Sequence, residues 1–206
     1  MISGIRHIWF DFSDTIAHIN KSVADKLMHT AYAKVTKKEL TPELVAEYDA
    51  MRKKHGSSTA VFVSLGTPRT YLVDRLANID PKVLYQLADE NIPEVLKKLR
   101  EILPISILSN NRLDVILPSL GIEPGWFTNI LGPDTVKKPK PALDGFHMMI
   151  ELSGATPAEI LYIGDEVQKD LVPAKSLGIK TGLLWSISEE ADYCFTDFQD
   201  ILKRFE

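Results

Sequence analysis

The chain has 206 residues, 45% of them hydrophobic and 25% charged, a composition ordinary for a folded globular protein and wrong for a disordered or fibrous one. Its 24 basic and 28 acidic side chains leave a net charge of −4. No dense basic stripe is available to displace counterions, so nucleic acid is excluded as the main partner.

Length allows one domain carrying an insertion, or two small ones. From Met1 to Asp14 the only side-chain cation is Arg6, and an acidic residue arrives at Asp11. That pattern fits neither a secretory leader nor a membrane span. The single cysteine, Cys194, has no internal partner for a disulfide, which fits a reducing compartment. The expected setting is the cytoplasm.

Ile5 to Phe12 is a short run of β-branched and aromatic residues and predicts a buried strand, ending in the polar cluster Asp11-Phe12-Ser13-Asp14-Thr15. Val23, Leu27, Met28, Ala31, Tyr32 and Val35 then recur at helical spacing. Thr41-Pro42 predicts a helix start and Gly56 its stop. Pro68 to Ala77 and Pro81 to Ala88 read as two further helices, with no strand expected between Thr15 and Pro93.

From Pro93 helices and strands alternate. Pro93 to Leu103 predicts a helix and Ile105 to Leu108 a strand ending in Ser109-Asn110-Asn111. Leu113 to Leu120 reads as helix, Phe127 to Leu131 as a short strand and Ala142 to Leu152 as helix. Ile160 to Ile163 is a strand ending in Gly164-Asp165, and Leu171 to Leu177 a helix. Lys180 to Trp185 and Tyr193 to Phe195 read as strands, and Phe198 to Phe205 as a closing helix. This rhythm implies an α/β fold with a mostly parallel sheet covered on both faces. Ligands in such a fold sit beyond the carboxyl ends of the strands.

Three of those ends carry polar groups: Asp11 through Thr15, Ser109 with Asn110, and Gly164-Asp165. Carboxylates gathered at one sheet edge repel one another unless a cation stands between them. Hard oxygen ligands of this kind suit Mg²⁺, which takes one or two carboxylates and leaves room for a substrate phosphate. The basic stretch Lys137-Lys138-Pro139-Lys140-Pro141 lies between the second and third of these ends. A lysine and a loop of backbone N–H groups beside a metal would complete a phosphate cradle. Each piece alone has a structural reading, as helix cap, turn or solvated loop; the ordered set points to a phosphoryl group.

In these motifs the sequence resembles the haloacid dehalogenase superfamily. Asp11-Phe12-Ser13-Asp14-Thr15 stands where that family has Asp-x-Asp-x-Thr, Ser109 ends the next core strand, and Gly164-Asp165 with Asp170 matches its last motif. Lys138 and Lys140 both qualify as the family lysine, and Lys140 is favoured because Lys140 to Phe146 resembles the stretch leading into the family's helix. The resemblance implies a three-layer Rossmann-like core over residues 1–15 and 90–206, with an inserted all-α cap over 16–89. It implies catalytic Asp11, Ser109 and Lys140, with Asp11 as nucleophile through an aspartyl-phosphate. Ser109, Asn110 and Lys140 would bind phosphate. Mg²⁺ would be held by Asp11, the Ser13 carbonyl and Asp165, with Asp170 orienting the lysine or a metal-bound water. The expected substrate is a small phosphate monoester, and no membrane partner is implied.

One position departs from the pattern. The family's phosphatases place a second Asp, the acid–base group, where this chain has Ser13, and a serine cannot fill that role unaided. Asp14 and Thr15 are candidates to assist, and His18 stands close by in sequence. Two other readings stay open: a hydrolase cutting a carbon–phosphorus or carbon–halogen bond, and a weakened domain kept for binding a phosphorylated ligand or a partner. Arg69 could face a substrate anion or be a surface residue.

Overall fold

The computed structural model describes residues 1–205 and divides into two compact units, Met1–His18 with Tyr85–Glu206, and Ile19–Leu84.

In the first unit, β1 (His7–Phe10) continues into the loop that carries Asp11. After it come β2 (Ala17–Ile19), whose last residue lies in the second unit, and then the helical unit. That unit contains α1 (Lys21–Thr36), α2 (Pro42–His55), α3 (Ser58–Ser64), α4 (Tyr71–Leu76) and α5 (Pro81–Leu84). The chain returns through β3 (Tyr85–Leu87), α6 (Ile92–Ile102), β4 (Ile105–Leu108), α7 (Ile116–Ser119) and β5 (Ile130–Leu131). Next are α8 (Asp144–Ser153), β6 (Ile160–Gly164), a single π-helical turn at Val167–Leu171 and α9 (Val172–Ser176). The chain closes with β7 (Lys180–Leu184), β8 (Tyr193–Phe195) and α10 (Phe198–Lys203).

Six strands form one sheet in the order β5-β4-β1-β6-β7-β8, and every neighbouring pair in it is parallel. β1, β4 and β6 are buried along their whole length, as central parallel strands require, so their sequences are mostly apolar without alternation, and the buried polar pair His7 and Ser106 bond each other at 2.9 Å. Register sets the site. Phe10 pairs with Ile107 of β4 and with Ile163 of β6, so the residues just beyond these positions emerge side by side at one sheet edge. Among the covering helices, α6 buries Ile92, Val95, Leu96 and Leu99, one stripe at helical spacing. Losing a side chain of this kind costs about 2–5 kcal/mol.

The helical unit has its own core of Met28, Ala31, Tyr32, Leu44, Tyr48, Val61, Phe62 and Leu72. Three of its helices start where side chains cap free N–H groups: Asn20 for α1, Thr41 with Pro42 for α2, and Ser57 for α3. Gly56, at φ 79°, ends α2 in the left-handed conformation that favours glycine.

Two local expectations are corrected. Residues 81–88 are not one helix: α5 stops at Leu84, and Tyr85–Leu87 forms β3, which pairs with β2. Strands therefore do occur between Thr15 and Pro93. At three residues each they are too short for alternation to betray them. Helix α3 has no clear signature in the sequence, because its Thr59, Val61 and Val63 are β-branched and weak helix formers. No helix among the described residues is long and apolar enough to cross a membrane.

Candidate active site

Asp11 immediately follows β1, and its N–H donates to the carbonyl of Ile163 in β6 at 2.8 Å. Ser109 follows β4, Asp165 follows β6, and Lys140 enters from the loop before α8. Asp11, Lys140 and Asp170 are all buried. The Lys140 ammonium stands 2.7 Å from Asp11 Oδ1 and 2.5 Å from Asp170 Oδ1, and donates to the Tyr162 hydroxyl at 2.6 Å. An ammonium has three hydrogens, and here each has an acceptor. Lys140 is thereby pinned at full valence.

Tyr162 and the backbone fix Asp170 in turn. The Tyr162 hydroxyl donates to Asp170 Oδ1 at 3.2 Å, and the Glu166 N–H donates to Oδ2 at 3.3 Å. Burial, followed by the charge of Asp170, holds the Tyr162 phenol well above its ordinary pKa, so it stays a donor. Gly164 makes this packing possible, because a Cβ there would lie 2.7 Å from Asp170 Cβ.

Asp11, Asp165 and Asp170 offer oxygens that all lie within 4.8 Å of one another, so this trio could hold a metal ion. Burial raises the Asp11 pKa; Lys140 pulls it down and Asp170 pushes it up, and the net shift is upward. Asp165 is pushed up to about 6 by burial and then by Asp11 and Asp170, against a 3.1 Å hydrogen bond from the Thr15 hydroxyl. A second ammonium, Lys169, faces the trio. Burial opposes its charge, but Asp11, Asp170, Glu166 and Asp165 outweigh that and raise its pKa.

The decisive atom is Asp11 Oδ2, which is buried with no hydrogen-bond partner. An acceptor left bare in this way is costly. A cation bound by hard oxygens would satisfy it, so the residues fit Mg²⁺.

The remaining candidates are placed as follows. Ser109 Oγ accepts from the Asn111 N–H at 3.0 Å, which leaves its own O–H to donate. The Asn110 side chain bonds both main-chain groups of Lys140, accepting from its N–H at 3.0 Å and donating to its carbonyl at 3.3 Å. It anchors the lysine loop. Asn111 Nδ2 donates to Ser13 Oγ at 2.7 Å. Asp14 lies outside the carboxylate trio; its Oδ1 is 2.9 Å from His18 Nδ1.

Tyr162, Lys169 and Asn111 were not singled out in the sequence. Tyr162 sits inside an apolar strand and reads as core. The available signal was strand alternation, which puts it on the same face as Gly164. Lys169 directly precedes Asp170, and Asn111 extends the Ser109-Asn110 pair.

Comparison with known proteins agrees with the motifs. The family model of haloacid dehalogenase-like hydrolases matches residues 8–184. The chain belongs to this family. It is therefore a hydrolase, and its six-stranded parallel sheet is the family's Rossmann-like core. It is 26% identical to a phosphoglycolate phosphatase from Photorhabdus laumondii over 224 residues, which cover 98% of this chain and 93% of the relative. Over 90 residues it is 30% identical to a glyceraldehyde 3-phosphate phosphatase from Methanocaldococcus jannaschii, covering 40% of this chain and 39% of that one. Its fold is similar to the crystal structure of a HAD phosphatase from Thermococcus onnurineus, with a TM-score of 0.74, 19% identity and 97% of each chain covered.

Proposed function

We propose that this hydrolase is a Mg²⁺-dependent phosphatase acting on a small phosphate monoester, with Asp11 as the nucleophile. The observation that carries the reading is the Asp11 carboxylate itself: one oxygen beside the Lys140 ammonium, the other buried and bare. The names of the two curated relatives, both phosphatases of short phosphorylated metabolites, support the substrate class. In this reading the helical unit Ile19–Leu84 is the cap that selects among such substrates, and the setting is cytoplasmic.

Asp11, Asp165 and the Ser13 carbonyl would hold Mg²⁺, which when bound offsets repulsion between the nucleophile and an anionic phosphate. Asp11 Oδ1 attacks phosphorus in line and forms an aspartyl-phosphate, splitting one difficult displacement into two. Lys140 neutralises charge on Asp11 and on the transferring group, and its saturated contacts mean that it need not reorganise as charge develops. Asp170 and Tyr162 position that ammonium. Ser109 donates its hydroxyl hydrogen to a phosphoryl oxygen.

The test is turnover of p-nitrophenyl phosphate with Mg²⁺ and with chelator, by wild type and Asp11→Asn. Metal-dependent hydrolysis that disappears in Asp11→Asn is expected. Turnover that survives either chelation or the substitution contradicts the proposal.

A further inference from the structure

The phosphatase reading leaves one step without a group. An alkoxide leaving group needs a proton, and the water that attacks the aspartyl-phosphate must lose one. Ser13, two residues after Asp11, is bonded by Asn111 and does not titrate near neutral pH. We propose that His18, oriented by Asp14, is the acid–base catalyst of this site. The inference rests on the phosphatase reading and assigns the one role that reading leaves empty.

Loop geometry places the pair near the nucleophile. The Ile16 and Ala17 N–H groups donate to the Phe12 carbonyl at 2.9 and 3.1 Å, and the Asp14 N–H donates to the Ala17 carbonyl at 2.8 Å. These bonds fold the loop back on itself and bridge Ala17 to Ser13. Bridged residues bring their Cα atoms within about 5 Å. His18 is the next residue after Ala17, and so stands beside the loop that begins at Asp11.

The pair has the form that acid–base work requires. His18 Nδ1 lies 2.9 Å from Asp14 Oδ1. A carboxylate only accepts hydrogen bonds, so Nδ1 carries the hydrogen and Nε2 is the nitrogen that gains and loses a proton. The imidazole is half-exposed, with 42% of its side-chain surface accessible, and Nε2 is the ring nitrogen that Asp14 does not engage.

Asp14 is held in place by unusual backbone. It adopts φ 58°, and its carbonyl accepts a 3.0 Å hydrogen bond from the indole Nε1 of Trp185, itself at φ 68°. Left-handed backbone is tolerable for aspartate but an outlier for a bulky tryptophan, and such conformations persist only where surrounding structure enforces them. Two of the three non-glycine residues at positive φ among those described thus meet at one hydrogen bond, and that bond fixes the residue that aims His18.

The proton balance closes over one cycle. As Asp11 Oδ1 bonds to phosphorus and the ester P–O bond breaks, the proton on His18 Nε2 passes to the leaving oxygen, and the alcohol departs. The neutral imidazole then takes a proton from the water that attacks the aspartyl-phosphate. The bond from phosphorus to Asp11 breaks, inorganic phosphate leaves, and carboxylate and imidazolium are restored.

The experiment compares kcat/KM on ethyl phosphate and on p-nitrophenyl phosphate for wild type, His18→Gln, Asp14→Asn and the double variant His18→Gln/Ser13→Asp. A nitrophenolate departs without protonation, so His18→Gln should lower kcat/KM on ethyl phosphate by roughly 10²-fold, the usual worth of one such group. The activated ester should lose much less. Its kcat should nonetheless fall, with a pre-steady-state burst, because hydrolysis of the aspartyl-phosphate has lost its base. Asp14→Asn should show the same leaving-group signature in weaker form. A carboxyl group at position 13 should restore ethyl phosphate turnover in the double variant. Equal losses on both esters, no loss on ethyl phosphate, or no rescue overturns the assignment while leaving the phosphatase reading intact. A wild type inert on both esters with Mg²⁺ overturns the phosphatase reading, and the assignment with it.

Discussion

Gly164 and Asp170 are packed so closely that a single methyl group on the glycine would stand 2.7 Å from Asp170 Cβ and 2.8 Å from its carboxylate carbon. Both atoms lie at the base of the side chain, so rotation of its far end cannot relieve the clash. Asp170 must then move off Lys140. Gly164→Ala should therefore destabilise the protein by about 1–3 kcal/mol, the cost of overpacking a full core, and lower kcat along with stability. Thermal unfolding and steady-state kinetics on the same preparation are the check; a variant with wild-type melting and turnover would show that the packing tolerates a side chain.

The buried charges predict opposite responses to two substitutions. Burial raises the Asp11 pKa, so its ionised carboxylate works against the metal-free fold. Asp11→Asn keeps the shape and removes the charge, while Lys140 retains Asp170 and Tyr162 as partners. The metal-free variant should melt above wild type although it has lost activity. Lys140→Met removes the cation and strands Asp11 and Asp170 without it, which should cost about 3–5 kcal/mol. Melting temperatures in chelator decide both; a destabilised Asp11→Asn would contradict the account of the charge balance.

Asp165 gives the pH dependence its sign. Its folded pKa is about 6 against an ordinary 3.8, so the folded state holds this proton more tightly than the unfolded chain. The metal-free fold is accordingly penalised as pH rises through that window, and the penalty is constant above it. Glu43, Glu47, Glu94, Asp134, Glu159 and Asp192 are all shifted down and pull the overall curve the other way. The measurement is therefore a difference. In chelator, Asp165→Asn should gain stability relative to wild type between about pH 4 and 6. Added Mg²⁺ should narrow the gap above that range by stabilising wild type alone.

The sheet edge was legible because buried parallel strands are largely apolar, so the residue where each run breaks, Asp11, Ser109 or Asp165, marks a carboxyl end. Lys140 was separated from Lys138 only by resemblance, since both precede a proline. Tyr162 was hidden by the same rule that exposed its neighbours: an aromatic inside an apolar strand reads as core until its hydroxyl is seen on Lys140 and Asp170. Asn110 carries a second role that the sequence does not show. Besides standing after Ser109, where a phosphate ligand is expected, its amide spans both main-chain groups of Lys140, a pairing across thirty residues that no local pattern carries. The three-residue β2 and β3 escaped because each forms only with its partner, and that partner lies beyond the whole helical unit.

The central claim, that Asp11 is the nucleophile, is tested most directly by trapping. Wild-type protein is mixed with excess p-nitrophenyl phosphate and Mg²⁺, quenched in acid within the first turnovers, digested, and mapped by mass spectrometry. The account predicts one phosphoryl group on the peptide carrying Asp11, absent without Mg²⁺ and absent in Asp11→Asn. Rapid turnover with no covalent intermediate on that peptide, or a phosphoryl group on any other residue, would contradict it.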